Sequence, residues 1–551
     1  MEGAIKKFFF GEVFTDEKTL SAYSHDASLF EVKPRLVAKP RDAKDVAELV
    51  SFVAEKKNTD STISITARAA GTCMSGGSLN ESIILDVNAH MQGIKEFKSK
   101  SVRALPGTFY RDFEKETLKH GLILPCYTAS KELCAIGGMI GNNAAGEKTL
   151  SYGKMENYIE SLNVVFADGK EYEAKPLSRG ELEVKMKQGD FEGNIYKKIW
   201  DLIQVNKKEI EENRPRVSKN SAGYYLWNVW SPESSGEKGR GVFDLTKLIV
   251  GSQGTLGIVT EARLRLVPVR KKSKLFVIFM KDLEKLGDLV NEILALSPES
   301  VESYDDDTLK LAIRFFPEML KSMKATSLLG LFWGFVPEML MVLRGGLPKL
   351  ILLAEFAGDD EKEIDMKIKE LERKVKPYNL RTRFVRSEKE SEKYWTVRRE
   401  SFSLLRKHVH GKRTAPFVDD VVVEPKHLPE FLPKMRKILD EYKLLYTIAG
   451  HAGNGNFHVI PLMDMKDKNN VNVITEVSDK IYDLVREYHG SITAEHNDGI
   501  VRTPYLGKMY SPRMLEIFQE IKNIFDPKNI FNPGKKVNGS VEYLRSHIAT
   551  K

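Results

Sequence analysis

Residues 134–153 read CAIGGMIGNNAAGEKTLSYG, and glycine takes five of these positions: Gly137, Gly138, Gly141, Gly146 and Gly153. Glycine costs roughly 1 kcal/mol against alanine inside a regular element, so the run is a poor recipe for a packed helix or strand. It suits a stretch of chain whose backbone N–H and C=O groups lie flat against a ligand. Nearly every side chain large enough to hold a ligand away is missing.

A chain of 551 residues exceeds one ordinary hydrophobic core, and several domains are expected. Its 85 Lys and Arg and 77 Asp and Glu give a net charge of +8, with both signs spread along the length. With no basic tail or arginine block, this reads as a mixed-charge surface and not as a nucleic-acid binder. The surplus suits an anionic substrate or an anionic membrane surface. Cys73, Cys126 and Cys134 form no CxxC pair. They point to a reducing compartment without structural disulfides and exclude a cysteine-ligated iron–sulfur cluster, which needs about four thiolates. The start, MEGAIKKFFFGEVF, has an apolar run too short for a signal-peptide core, so no export is expected.

Residues 42–57 predict an amphipathic helix, with Asp42 as N-cap and Val46, Leu49, Val50 and Val53 on one face. Strands are expected at 63–66 and 82–87, and a hairpin over 162–174 turns at Ala167-Asp168-Gly169. After Pro268 the pattern changes to strand (275–280), helix (281–296), strand (350–358) and helix, an α+β unit on an antiparallel sheet. Boundaries near 268 and 489 divide the chain into 1–268, 269–488 and 489–551, the last with a helix at 512–525. The apolar run 327–347 is broken by Pro337 and Glu338 and is not a membrane span. It reads either as a buried segment or as a surface hairpin that docks on a membrane or partner.

A first glycine cluster, TARAAGTCMSGGSLNESIILD (66–86), lies between two predicted strands. Successive N–H groups in such a turn form a concave donor site that suits a pyrophosphate. It lacks the GK[ST] ending of a Walker loop, and it joins two strands where a Rossmann fingerprint opens a helix. By itself it is equally a plain glycine-rich turn. A third cluster, VGSQGTLGIVTEA, follows at 250–262.

The ordered set ARAAGTCMSGG, IGGMIGNNAAGEKTLSYG and GSQGTLGI resembles the vanillyl-alcohol-oxidase-like flavoproteins of p-cresol-methylhydroxylase type, specifically their FAD-linked D-2-hydroxyacid dehydrogenase branch. The resemblance spans about residues 20–540. It implies an α+β fold: an FAD-binding domain of two α+β subdomains (1–268), an α+β substrate or cap domain (269–488), and a C-terminal segment returning to the FAD site. It also implies that Arg68, Ala69, Ala70, Gly71 and Thr72, with Ser75, Gly76 and Gly77, hold the FAD pyrophosphate. Ser130, Gly137, Gly138, Asn143 and Gly146 then line the flavin and ribityl chain. Gln253, Gly254 and Ile258 reach the adenine end or nearby backbone, and Asn532 of FNPGK joins the set. Ala70 replaces a usual glycine and Gln253 a usual glutamate. With no histidine between 66 and 86, the FAD is expected to be non-covalent.

The second half carries AGHAGNGNFHVIP (449–461) and ITAEHNDGIVRTPYL (492–506). Two imidazoles and a carboxylate are a common divalent-metal set, although seven-residue spacing over a loop does not separate ligands from scattered structural histidines. The resemblance implies that His451, His458 and Glu495 ligate a divalent metal (zinc, manganese or iron) and that His496 is the base. Asn454 stands where aspartate is usual, and Asn497-Asp498 departs from a glycine-containing loop. Arg398, in YWTVRRE, matches the arginine that binds the substrate carboxylate, Arg399 being the lesser candidate. The family's lysine for a second carboxylate has no counterpart near Asp420.

The expected activity is oxidation of a D-2-hydroxy acid to the 2-oxo acid by metal-assisted proton abstraction and hydride transfer to flavin N5. Electrons would pass to a quinone, a cytochrome or an iron–sulfur protein. The rival readings are a flavin oxidase, an ether-lipid alkyl synthase on the same fold, or an electron-relay subunit. A cytoplasmic location, with or without peripheral contact at the inner face of the membrane, is expected, and a homodimer is left open.

Overall fold

A computed structural model describes residues 1–232, 241–314, 346–385, 387, 390–399, 411–467 and 469–550, the side chains of 311 and 312 excepted. The apolar run 327–347 lies, up to residue 345, outside the described residues. Among the described residues no helix is long and apolar enough to cross a membrane. The three cysteines are free thiols.

In the N-terminal part the chain builds two sheets. One has the order Glu12–Phe14, Leu36–Lys39, Ile83–Asp86, Ile65–Arg68, in which the last three strands run parallel. The expected helix forms over Ala43–Lys56, capped by the Asp42 carboxylate accepting from the Asp45 N–H, with Val46, Leu49, Val50 and Val53 buried. The second sheet is antiparallel, with the order Ile94–Lys98, Ser101–Ala104, Ile258–Arg265, Ile159–Val165, Glu171–Ala174. Its last pair is the hairpin expected over 162–174.

The glycine run departs from expectation, because Ile136–Asn142 is helical. Ile136, Met139 and Ile140 are buried along one face. They supply the apolar contact that offsets the glycine cost, while Gly137, Gly138 and Gly141 leave the rest of the surface bare. Asn143 ends the helix in the left-handed conformation at φ +53°, which asparagine tolerates.

The later part is an antiparallel sheet of eight strands. Its order is Arg381–Val385, Lys272–Met280, Leu350–Gly358, Ser300–Asp305, Leu445–His451, Asn456–Met463, Arg413–Thr414, and Val421–Val422 pairs with Asn456–Met463. Its inner strands are continuous apolar runs because both faces are covered. Leu275, Val277, Phe279, Ile351 and Leu353 pack with Tyr304, Tyr394 and Trp395 on one face. Phe276, Ile278, Leu350 and Leu352 join the main core on the other, against Leu289, Ile364 and Phe431. Alternation with period two thus assigns each face.

Candidate active site

Two sites emerge. The first is a cavity where the three glycine clusters meet. Ala69, Ala70, Gly71, Thr72 and Gly77 of the first cluster line it with Gly137 and Gly138 of the second and Gln253 and Gly254 of the third. Cys73, Pro106, Gly141, Asn142 and Ser252 complete much of the wall. The other cradle candidates belong to its frame. Arg68 donates to the carbonyls of Tyr23 and His25. Ser75 is buried, and its carbonyl accepts from the Ile500 N–H at 2.8 Å. Gly76 packs against Phe30 and Ile500. The hydroxyl of half-buried Ser130 meets that of Thr128 at 2.9 Å. The Asn143 side chain accepts from the Glu156 N–H, and Ile258 is buried at the head of its strand.

Two amides fasten the clusters together. The Gln253 Nε2 donates to Asn142 Oδ1 at 3.2 Å, while its Oε1 accepts from the Gly499 N–H at 2.8 Å. A glutamate here would have only acceptors, so the glutamine is matched to its neighbours. Asn532, fully buried, donates to the carbonyls of Gly77 and Gln253 at 2.8 and 2.7 Å and accepts from Thr66 Oγ1.

The second site lies where the eight-stranded sheet meets the 490–500 segment. Strand Leu445–His451 turns through Ala452–Asn454 into Asn456–Met463, with His451 opposite Asn456 and His458 opposite Ala449. That register explains the seven-residue spacing, because it sets both imidazoles on one face of a hairpin. Gly455 closes the turn at φ +69°, where a Cβ would overlap the Val423 carbonyl.

Three imidazoles converge on one carboxylate oxygen. The Nε2 atoms of His451, His458 and His496 lie 3.2, 3.3 and 3.9 Å from Glu495 Oε1. Each Nδ1 is held from behind: His451 on Glu302 Oε1 at 2.6 Å, His458 on Asp419 Oδ1 at 3.1 Å, His496 on Asp419 Oδ2 at 2.5 Å. Ligand atoms of Asp420, His458, Glu495 and His496 all fall within 4.8 Å of one another. The Asp420 Oδ2 accepts from the N–H groups of Ala494, Glu495 and His496 and from the Thr493 hydroxyl, so it shapes the turn that presents Glu495. Fully buried Lys219 pairs with Glu495 Oε2 at 2.8 Å. Arg398 reaches Glu302 Oε2 at 3.1 Å, whereas Arg399, more exposed, pairs with Glu147 at 2.7 Å.

Electrostatics follow this wiring. Burial opposes the Asp419 charge, but His496 and His458 outweigh it and hold the carboxyl well below its usual range. Burial likewise opposes an imidazolium at His458, yet Asp419 and Glu495 push it up to about 10. His496 is raised against burial by Asp419 and Asp420. Glu495 is held low against burial by Lys219 and His451, and Glu302 by His451 and Arg398.

The departures noted in the sequence have local partners. Asn454 donates to Ser218 Oγ at 3.0 Å, Asn497 at φ +68° donates to the Gly251 carbonyl, and Asp498 pairs with buried Lys536 at 2.9 Å. Glu302, Asp419, Asp420 and Lys219 did not emerge from sequence reasoning. The signal for the aspartates was present, since Asp419-Asp420 interrupt the apolar FVDDVVV at 417–423.

Residues 34–175 match the FAD binding domain family, and residues 269–536 match the C-terminal domain family of FAD linked oxidases. The chain belongs to the FAD-linked oxidases. This FAD-linked oxidase is 28% identical over 96% of its length to a D-2-hydroxyglutarate dehydrogenase of Pseudomonas putida, covering 50% of that protein. It therefore spans about half the length of that relative. It is 26% identical to a D-lactate dehydrogenase of Archaeoglobus fulgidus, over 94% of this chain and 95% of the relative. Its fold matches p-cresol methylhydroxylase with a TM-score of 0.65 at 15% identity, over 96% of this chain and 94% of that one. The α+β architecture is thus that of the p-cresol-methylhydroxylase-type flavoproteins.

The cavity fits FAD on a test of its own glycines. A Cβ at Gly138, Gly141 or Gly254 would meet protein atoms only at 3.6, 3.9 and 3.8 Å, so packing alone leaves room for a side chain there. Packing excludes one at Gly146, where it would overlap the Tyr127 carbonyl, and at Gly137, where Pro106 atoms lie 2.8 and 2.9 Å away. The first three are bare where the cofactor approaches, and the last two because the protein is already there. The histidine cluster likewise suits a divalent metal: its ring nitrogens face one point, and carboxylates fix the tautomers from behind.

Proposed function

We propose that the chain oxidises a D-2-hydroxy acid of the D-lactate class to the 2-oxo acid. The observation that supports this most is the convergence of three imidazole Nε2 atoms on Glu495, with Arg398 joined to the same cluster through Glu302. FAD, held non-covalently in the cradle, supplies the hydride acceptor. A divalent metal on His451, His458 and Glu495 supplies Lewis-acid polarisation of the substrate hydroxyl.

The residues divide the remaining work. Arg398 takes the substrate carboxylate, for which a guanidinium is suited by its planar fork of donors. His496 accepts the hydroxyl proton at Nε2, while Asp419 keeps its Nδ1 protonated and its ring aligned. Lys219 neutralises Glu495 and stops it from turning away. Electrons leave to an external quinone, cytochrome or iron–sulfur protein, because three scattered cysteines in these 551 residues cannot hold a cluster.

The test is anaerobic mixing with D-lactate and with D-2-hydroxyglutarate, followed by the flavin's visible absorbance. The parent should bleach with the D and not the L acids, and a chelator should stop it. His496→Ala should retain FAD and slow bleaching by about 10²–10⁴-fold. Undiminished bleaching after metal removal would discard the metal's part, and an unchanged rate in the variant would discard the base.

A further inference from the structure

We propose that Glu302 is a positioning residue that fixes the carboxylate clamp to the metal centre, so that one side chain sets the spacing between them. The inference rests on the reading above and assigns a role to a residue outside its ligand, base and clamp set. Glu302 lies on the inner strand Ser300–Asp305 and is 1% exposed. Its two oxygens are divided. Oε1 accepts from His451 Nδ1 at 2.6 Å, and Oε2 accepts from Arg398 Nε and Nη2 at 3.2 and 3.1 Å.

The division has two chemical effects. Donation from Nδ1 commits His451 to the tautomer whose lone pair is on Nε2, the atom aimed at the metal position. The same carboxylate fixes the plane of the guanidinium, and two of its five N–H donors are spent in doing so. Strand pairing makes the link stiff: Ser303 stands opposite Gly450 and Tyr304 opposite Ala449, so Glu302 sits one step further along, beside His451. The carboxylate and hydroxyl of a 2-hydroxy acid are attached to adjacent carbons. A clamp that cannot slide relative to the metal therefore selects them over 3-hydroxy acids, in which the two groups stand one carbon further apart.

The experiment uses the FAD-loaded full chain with Glu302→Gln and Glu302→Asp. Manganese titration gives metal affinity, and flavin bleaching with D-lactate and D-3-hydroxybutyrate gives KM and kcat. Glu302→Gln should weaken manganese binding by about 10–100-fold and raise the KM for D-lactate by about tenfold, with kcat falling less. Glu302→Asp, shorter by one methylene, should narrow the preference for D-lactate over D-3-hydroxybutyrate by about tenfold. FAD content and melting temperature show whether each variant has folded, and the aspartate variant carries the test if the glutamine one has not. Either variant with normal metal affinity and KM overturns the inference. So does one that loses metal while KM and the chain-length preference stay at parent values, since the arginine is then held by other groups. A parent that binds no manganese, or whose flavin no D-2-hydroxy acid bleaches, overturns the proposed function itself.

Discussion

At the FAD cradle the protein meets its ligand with bare backbone, whereas at the histidine cluster it does so with side chains whose ring nitrogens are all assigned. The cradle is defined by what is missing at Gly138, Gly141 and Gly254. The cluster is defined by what stands behind each imidazole, Glu302 or Asp419. Recognition by backbone is local and leaves its mark in consecutive residues. Recognition by oriented side chains is distributed, and its supporting carboxylates come from other strands.

The comparison breaks most sharply at the glycines. Gly138→Leu should fold, with a melting temperature near the parent's, yet lose at least roughly tenfold in FAD occupancy, since only the cofactor's space is filled. Gly146→Ala should instead destabilise the chain by about 1–3 kcal/mol, because its methyl overlaps a carbonyl. Flavin absorbance per mole of protein, beside a thermal melt, separates the two. Equal loss of FAD and stability in both variants would erase the distinction.

At the cluster, Asp419→Asn should leave FAD content intact and weaken metal binding by about 10–100-fold, because one carboxylate orients two imidazoles. Metal analysis after dialysis checks it. Metal uptake should also release a proton. With His458 pushed up to about 10 against burial by Asp419 and Glu495, the metal must displace that proton at neutral pH. Affinity should then rise by about tenfold per pH unit between about pH 7 and 9. A pH-independent manganese affinity would contradict this.

The smallest effect lies in the sheet at Glu355, a control for both sites. Burial, and then the Glu299 carboxylate, push Glu355 up to about 7 from the ordinary 4.5. A raised carboxyl contributes stability that is present below about pH 4.5 and lost as pH rises through about 7. Glu355→Gln should flatten that slope and gain roughly 1–3 kcal/mol at pH 8. Denaturant melts at pH 5 and pH 8 measure it, with FAD and metal content unchanged.

The same contrast governs what the sequence could reveal. Helix Ala43–Lys56, strand Leu350–Gly358 and helix Pro512–Phe525 were legible because capping and periodicity are local signals. Helix Ile136–Asn142 was not, since its glycines outweigh its propensity and the pairing that rescues it, Gly137 N–H to the Pro106 carbonyl, is made by a distant turn. His451, His458, Glu495 and His496 were named through a motif, and the structure brings their side chains together. Glu302 and Asp419 were missed because a carboxylate reads as surface until its partner is known, and His451 is 149 residues from Glu302.

Asn532 has a consequence for synthesis. The first and third cradle loops are fastened to it from 455 and 279 residues away. Gly499 and Ile500 add bonds to Gln253 and Ser75. A ribosome making this chain from the N-terminus at about 5–20 residues per second exposes all three glycine clusters well before these fasteners emerge. The cradle described here is complete only once nearly the whole polypeptide is free. Loading with FAD thus belongs to the end of synthesis, and translation that halts before residue 532 yields a flavin site with its walls in place and its latch absent.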